Sequence, residues 1–205
     1  MLPLLTEFRD AIAISRRLIA AAHMRDTSGV YIWTEVDRFT VVEAAFLKVF
    51  IAWETIQEKS FIEYLMGATS AAGNVVPRFA QPRDRAHAAK LLIGVGRFAD
   101  WTAPDSVRKL AINFLENGGP FESVLASIQG ELIDLKTVRN AAAHLSTTTA
   151  LTLNSLASRK LHRNVSGMSA AAFLLSTDPT STSGSTIFDG YTSVLDAAAY
   201  GIIYA

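Results

Sequence analysis

The long segment from about Asp37 to Met66 carries apolar side chains at the spacing of an amphipathic helix. The apolar stripe of this segment consists of Phe46, Phe50, Trp53, Ile56 and Leu65. Glutamates at Glu43, Glu54 and Glu58 lie on another side, and Gly67 is a suitable residue to end the helix. A helix of this length must bury its stripe against other elements, so it predicts a helical bundle.

The rest of the sequence repeats the helical pattern without a competing strand signal. Further helices are predicted from Leu4 to about Arg25, from Arg83 to about Val95, after Pro104, from Phe121 to about His144 and from Phe188 to Tyr204. Asn117-Gly-Gly-Pro120 predicts a sharp break, and Ala68 to Pro82 a loop. We therefore expect an all-α fold, a bundle of about five or six helices in a single domain spanning residues 1–205.

The last part of the chain, residues 147–205, has weaker signals. Thr147 to Thr149 and Ser176 to Ser185 are rich in hydroxyl residues and are interpreted as loops. Leu151 to Leu161 has the length of a short helix. We expect a less regular, loop-rich extension that ends in the C-terminal helix.

Composition restricts the function classes. Half of the 205 residues are hydrophobic and the formal net charge is zero, so no global basic field attracts nucleic acid. The absence of cysteine excludes disulfides, cysteine zinc sites and thiol nucleophiles. Glu7, Arg9 and Asp10 interrupt the N-terminal apolar run, so no signal peptide is predicted. No membrane span is expected either, and a cytoplasmic location fits these features.

The segment from Thr137 to Ser146 concentrates polar chemistry in an alanine-rich run. Asn140 and His144 are four residues apart and so share one helix face, which the long side chain of Arg139 can reach. Arginine can bind a phosphate through two parallel hydrogen bonds, and histidine can transfer protons near neutral pH. The combination suits phosphodiester chemistry.

At these residues the chain resembles the HEPN superfamily, whose motif is an Arg, four to six intervening residues and a His. The match is Arg139, Asn140 and His144. Similarity to the RiboL-PSP-HEPN group is carried by Glu43 to Glu54, by Lys90-Leu-Leu92 with Asp100-Trp101, by Gly119-Pro-Phe121 and by the Arg-to-His run. Together these stretches define a family-like core from about Val41 to Ser146.

The resemblance implies a HEPN-like helical bundle and a metal-independent endoribonuclease, of the kind found in phage-defence or toxin–antitoxin systems. It also implies a homodimer that pairs two motifs across a two-fold axis, RNA as the substrate, and an antitoxin or other regulatory protein as a partner. Arg139, Asn140 and His144 would be the catalytic residues, without a metal ion or other cofactor. The small side chains of Ala141 to Ala143 are compatible with close approach of a second subunit.

Three alternatives remain at this point. In the first, His144 caps the C-terminal end of its helix and Arg139 pairs with a neighbouring carboxylate. In the second, the bundle is a non-catalytic module that binds RNA, nucleotide or a partner protein, which the zero net charge favours. In the third, the protein is a toxin silenced by nucleotide transfer onto a tyrosine two residues after the motif histidine, but this position is Ser146.

Several charged residues outside the motif are candidates for supporting roles. Glu54 belongs to a family-like Trp-Glu pair and is a candidate to orient Arg139, with a solvated helix face as the alternative interpretation. Two basic groups are candidates for RNA contact, with an ordinary solvated surface as the alternative interpretation. They are Arg83, Arg85 and Lys90 in one helix, and Arg159, Lys160 and Arg163, next to His162 and Asn164, in the C-terminal part.

Overall fold

The computed structural model describes residues 1–94, 99–144 and 146–205, and the regular elements of these residues are helical. The helices are α1 (Leu2–Ala22), α2 (Glu35–Met66), α3 (Arg85–Ile93), α4 (Pro104–Phe114), α5 (Gly119–Ser127), α6 (Gln129–Ala143), α7 (Thr147–Lys160), α8 (Ala170–Leu175) and α9 (Ile187–Tyr204). A short 3₁₀ turn, Glu116–Gly118, precedes α5. The all-α prediction is confirmed for these residues.

The helices contribute to two compact units. The first unit contains Met1–Arg9, Ala52–Ile133 and Val194–Ala205, and the second contains Asp10–Ile51 and Asp134–Ser193. Five large apolar side chains of α2 and α6 are buried, namely Phe46, Phe50, Trp53, Leu132 and Leu135. Trp53 and Leu132 belong to the first unit, whereas Phe46, Phe50 and Leu135 belong to the second.

The first unit is built around an aromatic cluster. The ring of Phe61 lies 4.8 Å from that of Phe121 and 5.9 Å from that of Trp101, measured between centroids. The buried hydroxyl of Tyr64 donates a 2.5 Å hydrogen bond to the carbonyl of Ile202, which ties α9 to α2. Burial raises the pKa of Tyr64 to about 12, so this hydroxyl stays protonated and keeps its donor role.

The helix predicted from Phe121 to about His144 is divided in the structure, which corrects that prediction. Ile128, with φ −119° and ψ 21°, separates α5 from α6. The side chain of Gln129, the first residue of α6, accepts from Arg108 and donates to Asp105, each at 3.0 Å. These contacts with α4 fix the break, and Gly130 lowers the local helix propensity further.

The second unit packs α6 and α7 through a buried carboxylate. Asp134 of α6 is only 3% exposed and lies between Leu132 and Leu135 in the sequence. It accepts from Arg159 at 2.5 Å and from Lys160 at 3.1 Å, both at the end of α7. Arg159 and Lys160 therefore lie in a helix and pair with Asp134, although the Arg159 side chain stays largely exposed.

The segment expected to be a loop at Thr147 to Thr149 is instead the first turn of α7. Ser146 is the N-cap, and its side chain accepts from the backbone N–H of Thr149 at 3.1 Å. The Thr149 hydroxyl lies 3.2 Å from the backbone nitrogen of Ser146 and completes a capping box. This reciprocal capping satisfies backbone donors that a helix start leaves open, so α7 begins earlier than the expected Leu151.

The remaining element boundaries agree closely with the sequence patterns. The first helix ends at Ala22, earlier than the expected Arg25, because Arg25 and Tyr31 form an antiparallel bridge in a tight connection to α2. The break at Asn117 is present, with φ 51° at that residue. Val95, the expected end of the third helix, lies outside the described residues. The short helix α8 was not predicted.

Candidate active site at the end of helix α6

Helix α6 carries the three motif residues at its C-terminal end. Arg139 and Asn140 are half-buried in the last turn, and His144 follows the helix as an exposed residue. The backbone N–H of His144 donates to the carbonyl of Asn140 at 3.0 Å, so the helical turn continues to residue 144. The spacing of four residues therefore places Asn140 and His144 on one side of the helix, as the sequence predicts.

The guanidinium group of Arg139 has an amide as its neighbour. Its Nη1 atom donates to Oδ1 of Asn140 at 3.3 Å. Within residues 1–94, 99–144 and 146–205, no carboxylate lies within ion-pair distance of Arg139. The alternative in which Arg139 pairs with a neighbouring carboxylate is thus not realised there. Other arginines do form such pairs, namely Arg9, Arg16, Arg85, Arg108 and Arg159.

The backbone around His144 is held by the start of α7. The carbonyl oxygen of His144 accepts a 2.7 Å hydrogen bond from the hydroxyl of Thr149. In the described part of the chain, no side chain or backbone group forms a hydrogen bond with the imidazole ring of His144. The ring is therefore exposed on a fixed backbone, which suits a group that exchanges protons with a bound ligand.

A cleft of about 330 Å³ adjoins the motif in the second unit. Residues of α2, α6, α7 and the start of α8 line it: Glu43, Ala141, Ser146, Thr147, Thr149, Ala150, Leu153, Met168, Ser169 and Ala170. Ala141 precedes His144 by three residues, so the two are neighbours on the helix surface. A ligand in the cleft would therefore lie next to the motif.

Glu43 is the ionisable residue that lines this cleft. It is half-buried on α2 and accepts one hydrogen bond, 3.3 Å long, from the backbone N–H of Ala171. Burial raises the pKa of Glu43, and the Ala171 hydrogen bond opposes this rise. Sequence reasoning did not select Glu43 as a site residue. The only signal was a single glutamate in the apolar stretch from Val41 to Phe46.

The supporting role expected of Glu54 stays a prediction. Glu54 is half-buried on α2 within the first unit, whereas Arg139 belongs to the second unit. Glu43, Glu54 and Glu58 all belong to α2. Glu58 is exposed, as expected for a solvated glutamate.

The six basic residues considered for RNA contact fall into two groups. Arg85 pairs with Glu63 at 2.6 Å, and Arg159 and Lys160 pair with Asp134, so the charges of these three are compensated. Arg83, Lys90 and Arg163 are exposed, and none of them forms an ion pair with the described residues. Three of the six candidates for RNA contact are therefore exposed cations without an ion pair to the described residues.

The described residues contain neither a metal-binding cluster nor a membrane-spanning helix. In the described residues, no group of three or more histidine, aspartate or glutamate side chains is arranged to hold a metal ion. The helices formed by these residues also lack the combination of length and apolar character needed to cross a bilayer.

Comparisons with protein families, with characterised proteins and with solved structures found no match for this chain.

Proposed function

We propose that the protein is a metal-independent endoribonuclease of the HEPN type, with Arg139, Asn140 and His144 as its catalytic residues. The observation that carries this proposal is the uncompensated guanidinium of Arg139 beside the Asn140 amide, one helical turn from an exposed imidazole. A half-buried cation without a carboxylate partner costs desolvation energy, and an anionic ligand would offset that cost.

The proposed reaction uses the 2′-hydroxyl of RNA as the nucleophile. Its oxygen attacks the adjacent phosphorus while a base takes its proton, the bond from phosphorus to the 5′-oxygen breaks, and an acid protonates that oxygen. The products are a 2′,3′-cyclic phosphate and a 5′-hydroxyl. His144 transfers the protons, and Arg139 stabilises the charge that develops on the phosphoryl oxygens. Asn140 orients Arg139 and contributes amide hydrogen bonds to the phosphate.

The reaction requires a base and an acid, whereas one chain supplies one motif histidine. We therefore propose a homodimer in which two copies of the motif share one cleft. The exposed Ala143 and the half-buried Ala142 support this, because small side chains allow a second helix to approach closely. In a toxin–antitoxin or phage-defence setting, an inhibitory protein would act by covering this shared cleft.

A non-catalytic binding module is the second candidate function. The observation in its favour is the pairing of Arg85, Arg159 and Lys160 with carboxylates, which leaves a small basic surface for a long RNA. In that case the protein would bind RNA, nucleotide or a partner protein at the motif without cutting.

A cleavage assay on single-stranded RNA in excess chelator separates the two candidates. The wild type should cut, and Arg139→Ala and His144→Ala should each lose activity while retaining the helical circular dichroism signal. Binding of RNA without cleavage by the wild type would favour the module. Sedimentation that shows only monomers of an active enzyme would contradict the shared cleft.

A further inference from the structure

The cleft beside the motif has the composition of a small-molecule site. Its volume of about 330 Å³ is at the lower end of the range found for ligand pockets. Ala141, Ala150, Leu153 and Met168 provide an apolar surface, and serine and threonine residues lie around it. A flat, mostly apolar ligand with a few polar atoms fits such a lining, since the polar groups are few and fixed.

Three of the four hydroxyl residues that line the cleft, Ser146, Thr149 and Ser169, already have structural partners. Ser146 and Thr149 form the capping box of α7, and the Ser169 side chain accepts from the backbone N–H of Ala172 as the N-cap of α8. These groups are therefore committed to helix ends. The polar recognition of a ligand is left to the carboxylate of Glu43 and the hydroxyl of Thr147.

The carboxylate of Glu43 has acceptor capacity that the chain does not use. An ionised carboxylate offers about four acceptor positions on its two oxygens. Glu43 receives one hydrogen bond from Ala171, on Oε1. No cation within the described ranges pairs with Glu43, which is half-buried among apolar side chains. A ligand with hydrogen-bond donors would compensate this carboxylate, and the raised pKa of Glu43 is consistent with its present lack of compensation.

We propose that this cleft binds a guanine base of the RNA substrate, with Glu43 accepting hydrogen bonds from the N1–H and the exocyclic amino group. The proposal rests on the endoribonuclease function proposed above and adds its base specificity. Ala141 and Ser146 flank His144 in the chain, so a base held here is presented with its phosphate near the motif.

Guanine is the base whose Watson–Crick edge offers two adjacent donors, in the parallel arrangement that a carboxylate can accept. Adenine and cytosine each present one amino group next to a ring nitrogen acceptor, which a carboxylate repels. Uracil presents one N–H between two carbonyl groups. Bases of single-stranded RNA are commonly recognised through this edge while the ring packs on a flat surface. In this cleft the ring would instead lie against the apolar side chains of Met168, Ala141 and Ala150.

Binding measurements in a His144→Ala background test the proposal without cleavage of the probe. The probes are short single-stranded uridine oligoribonucleotides with one central guanosine, inosine or adenosine. We expect the guanosine probe to bind at least about tenfold more tightly than the adenosine probe, the discrimination typical of a good bidentate base contact. Inosine lacks the exocyclic amino group and should bind with intermediate affinity.

Two variants locate the effect, each made in the same His144→Ala background. Glu43→Gln retains an oxygen that can accept from Ala171 but loses the paired acceptors, so the guanosine preference should disappear. Ala150→Leu, at an exposed lining position, should weaken the binding of the guanosine probe because the larger side chain fills the cleft. Glu58→Gln, an exposed glutamate on the same helix, should retain the wild-type preference.

Equal affinity for the guanosine and adenosine probes would overturn the proposal, and so would a guanosine preference that survives Glu43→Gln. Absence of binding by every probe would overturn it as well. The activity of the wild type is a separate readout. Cleavage without guanosine preference would refute the base site and leave the ribonuclease intact. A Glu43-dependent preference for guanosine without cleavage would refute the ribonuclease and leave the base site intact.

Discussion

Nη1 of Arg139 donates a hydrogen bond to Oδ1 of Asn140 across 3.3 Å. The partner is the side chain of the adjacent residue and carries no charge, so the guanidinium keeps its full positive charge and most of its donors. This relationship distinguishes Arg139 from Arg159, whose charge is compensated by the buried Asp134. A guanidinium without a carboxylate partner can bind a phosphate through two parallel hydrogen bonds, and this is the basis of the proposed chemistry.

Replacing Asn140 with aspartate tests this relationship directly. Asn140→Asp places a carboxylate next to Arg139, so the guanidinium becomes paired and the phosphate is repelled. We expect RNA cleavage to fall by about a hundredfold or more, as when a donor to a developing oxyanion is lost. Asn140→Ala should lose less activity, because it introduces no charge. If the Asn140→Asp variant keeps the wild-type kcat/KM for RNA cleavage, the charge of Arg139 is not used in catalysis.

The aromatic core of the first unit gives a stability prediction. Trp53 is 1% exposed and lies 6.1 Å from the ring of Phe8, measured between centroids. Trp53→Ala should lower the free energy of unfolding by about 3–5 kcal/mol, because it leaves a cavity among buried side chains. The control is Trp33→Ala, since Trp33 is 46% exposed. Equal melting temperatures for the two variants would contradict the burial of Trp53.

The ion pairs of Asp134 predict that removal of its two cations destabilises the fold more than neutralisation of the carboxylate. The double variant Arg159→Ala, Lys160→Ala leaves a buried carboxylate unpaired, which should cost about 3–5 kcal/mol of stability. Asp134→Asn leaves the cations without their carboxylate, but Arg159 is 63% exposed and its charge is solvated. The asparagine variant should therefore be clearly more stable than the double variant in chemical denaturation. The exposed pair Lys48→Ala, Arg163→Ala is the matched control.

The environment of Glu43 predicts a pH dependence of stability. Burial raises the pKa of Glu43, so the folded state holds this proton to a higher pH than the unfolded state. The contribution of Glu43 to stability is therefore greatest below its ordinary pKa of 4.5 and falls as the pH rises through the raised value. Glutamine does not titrate. The melting temperature of Glu43→Gln relative to the wild type should increase over this pH window and then stay constant.

The opposite trend would contradict the assignment of Glu43 as an uncompensated carboxylate. If Glu43→Gln loses stability relative to the wild type as the pH rises, the ionised carboxylate makes favourable contacts in the fold. The control is Glu58→Gln, which removes one negative charge from an exposed position on the same helix. The comparison of the two variants separates the effect of burial from the loss of one negative charge.

Local patterns predict those parts of the fold in which local chemistry decides the structure. The apolar stripe of α2 is buried at Phe46, Phe50 and Trp53, and the break at Asn117 has the left-handed backbone that its sequence suggests. The break at Ile128 has another origin. Arg108 and Asp105 of α4 bind Gln129 there, and such contacts between distant residues leave no periodic signal in the sequence.

In the candidate site, too, the sequence predicts the features that depend on local spacing and not those that join distant residues. The spacing of Asn140 and His144 predicts their common side of the helix, because the helical repeat is a local property. The cleft, by contrast, combines Glu43 of α2, Ala141 of α6 and Met168 before α8, which are far apart in the chain. The threonines after Ser146 resemble a loop by composition, yet the capping box makes them a helix start.

The most direct test of the proposed chemistry uses two matched oligonucleotides in excess chelator. One is RNA that the enzyme cuts at a mapped position, and the other carries a single 2′-deoxynucleotide on the 5′ side of that position. The wild type should cut the RNA to a 2′,3′-cyclic phosphate and a 5′-hydroxyl and should leave the deoxy position intact. The His144→Ala variant should cut neither oligonucleotide. Cleavage at the deoxy position, or cleavage that disappears with chelator and returns with magnesium, would contradict the account.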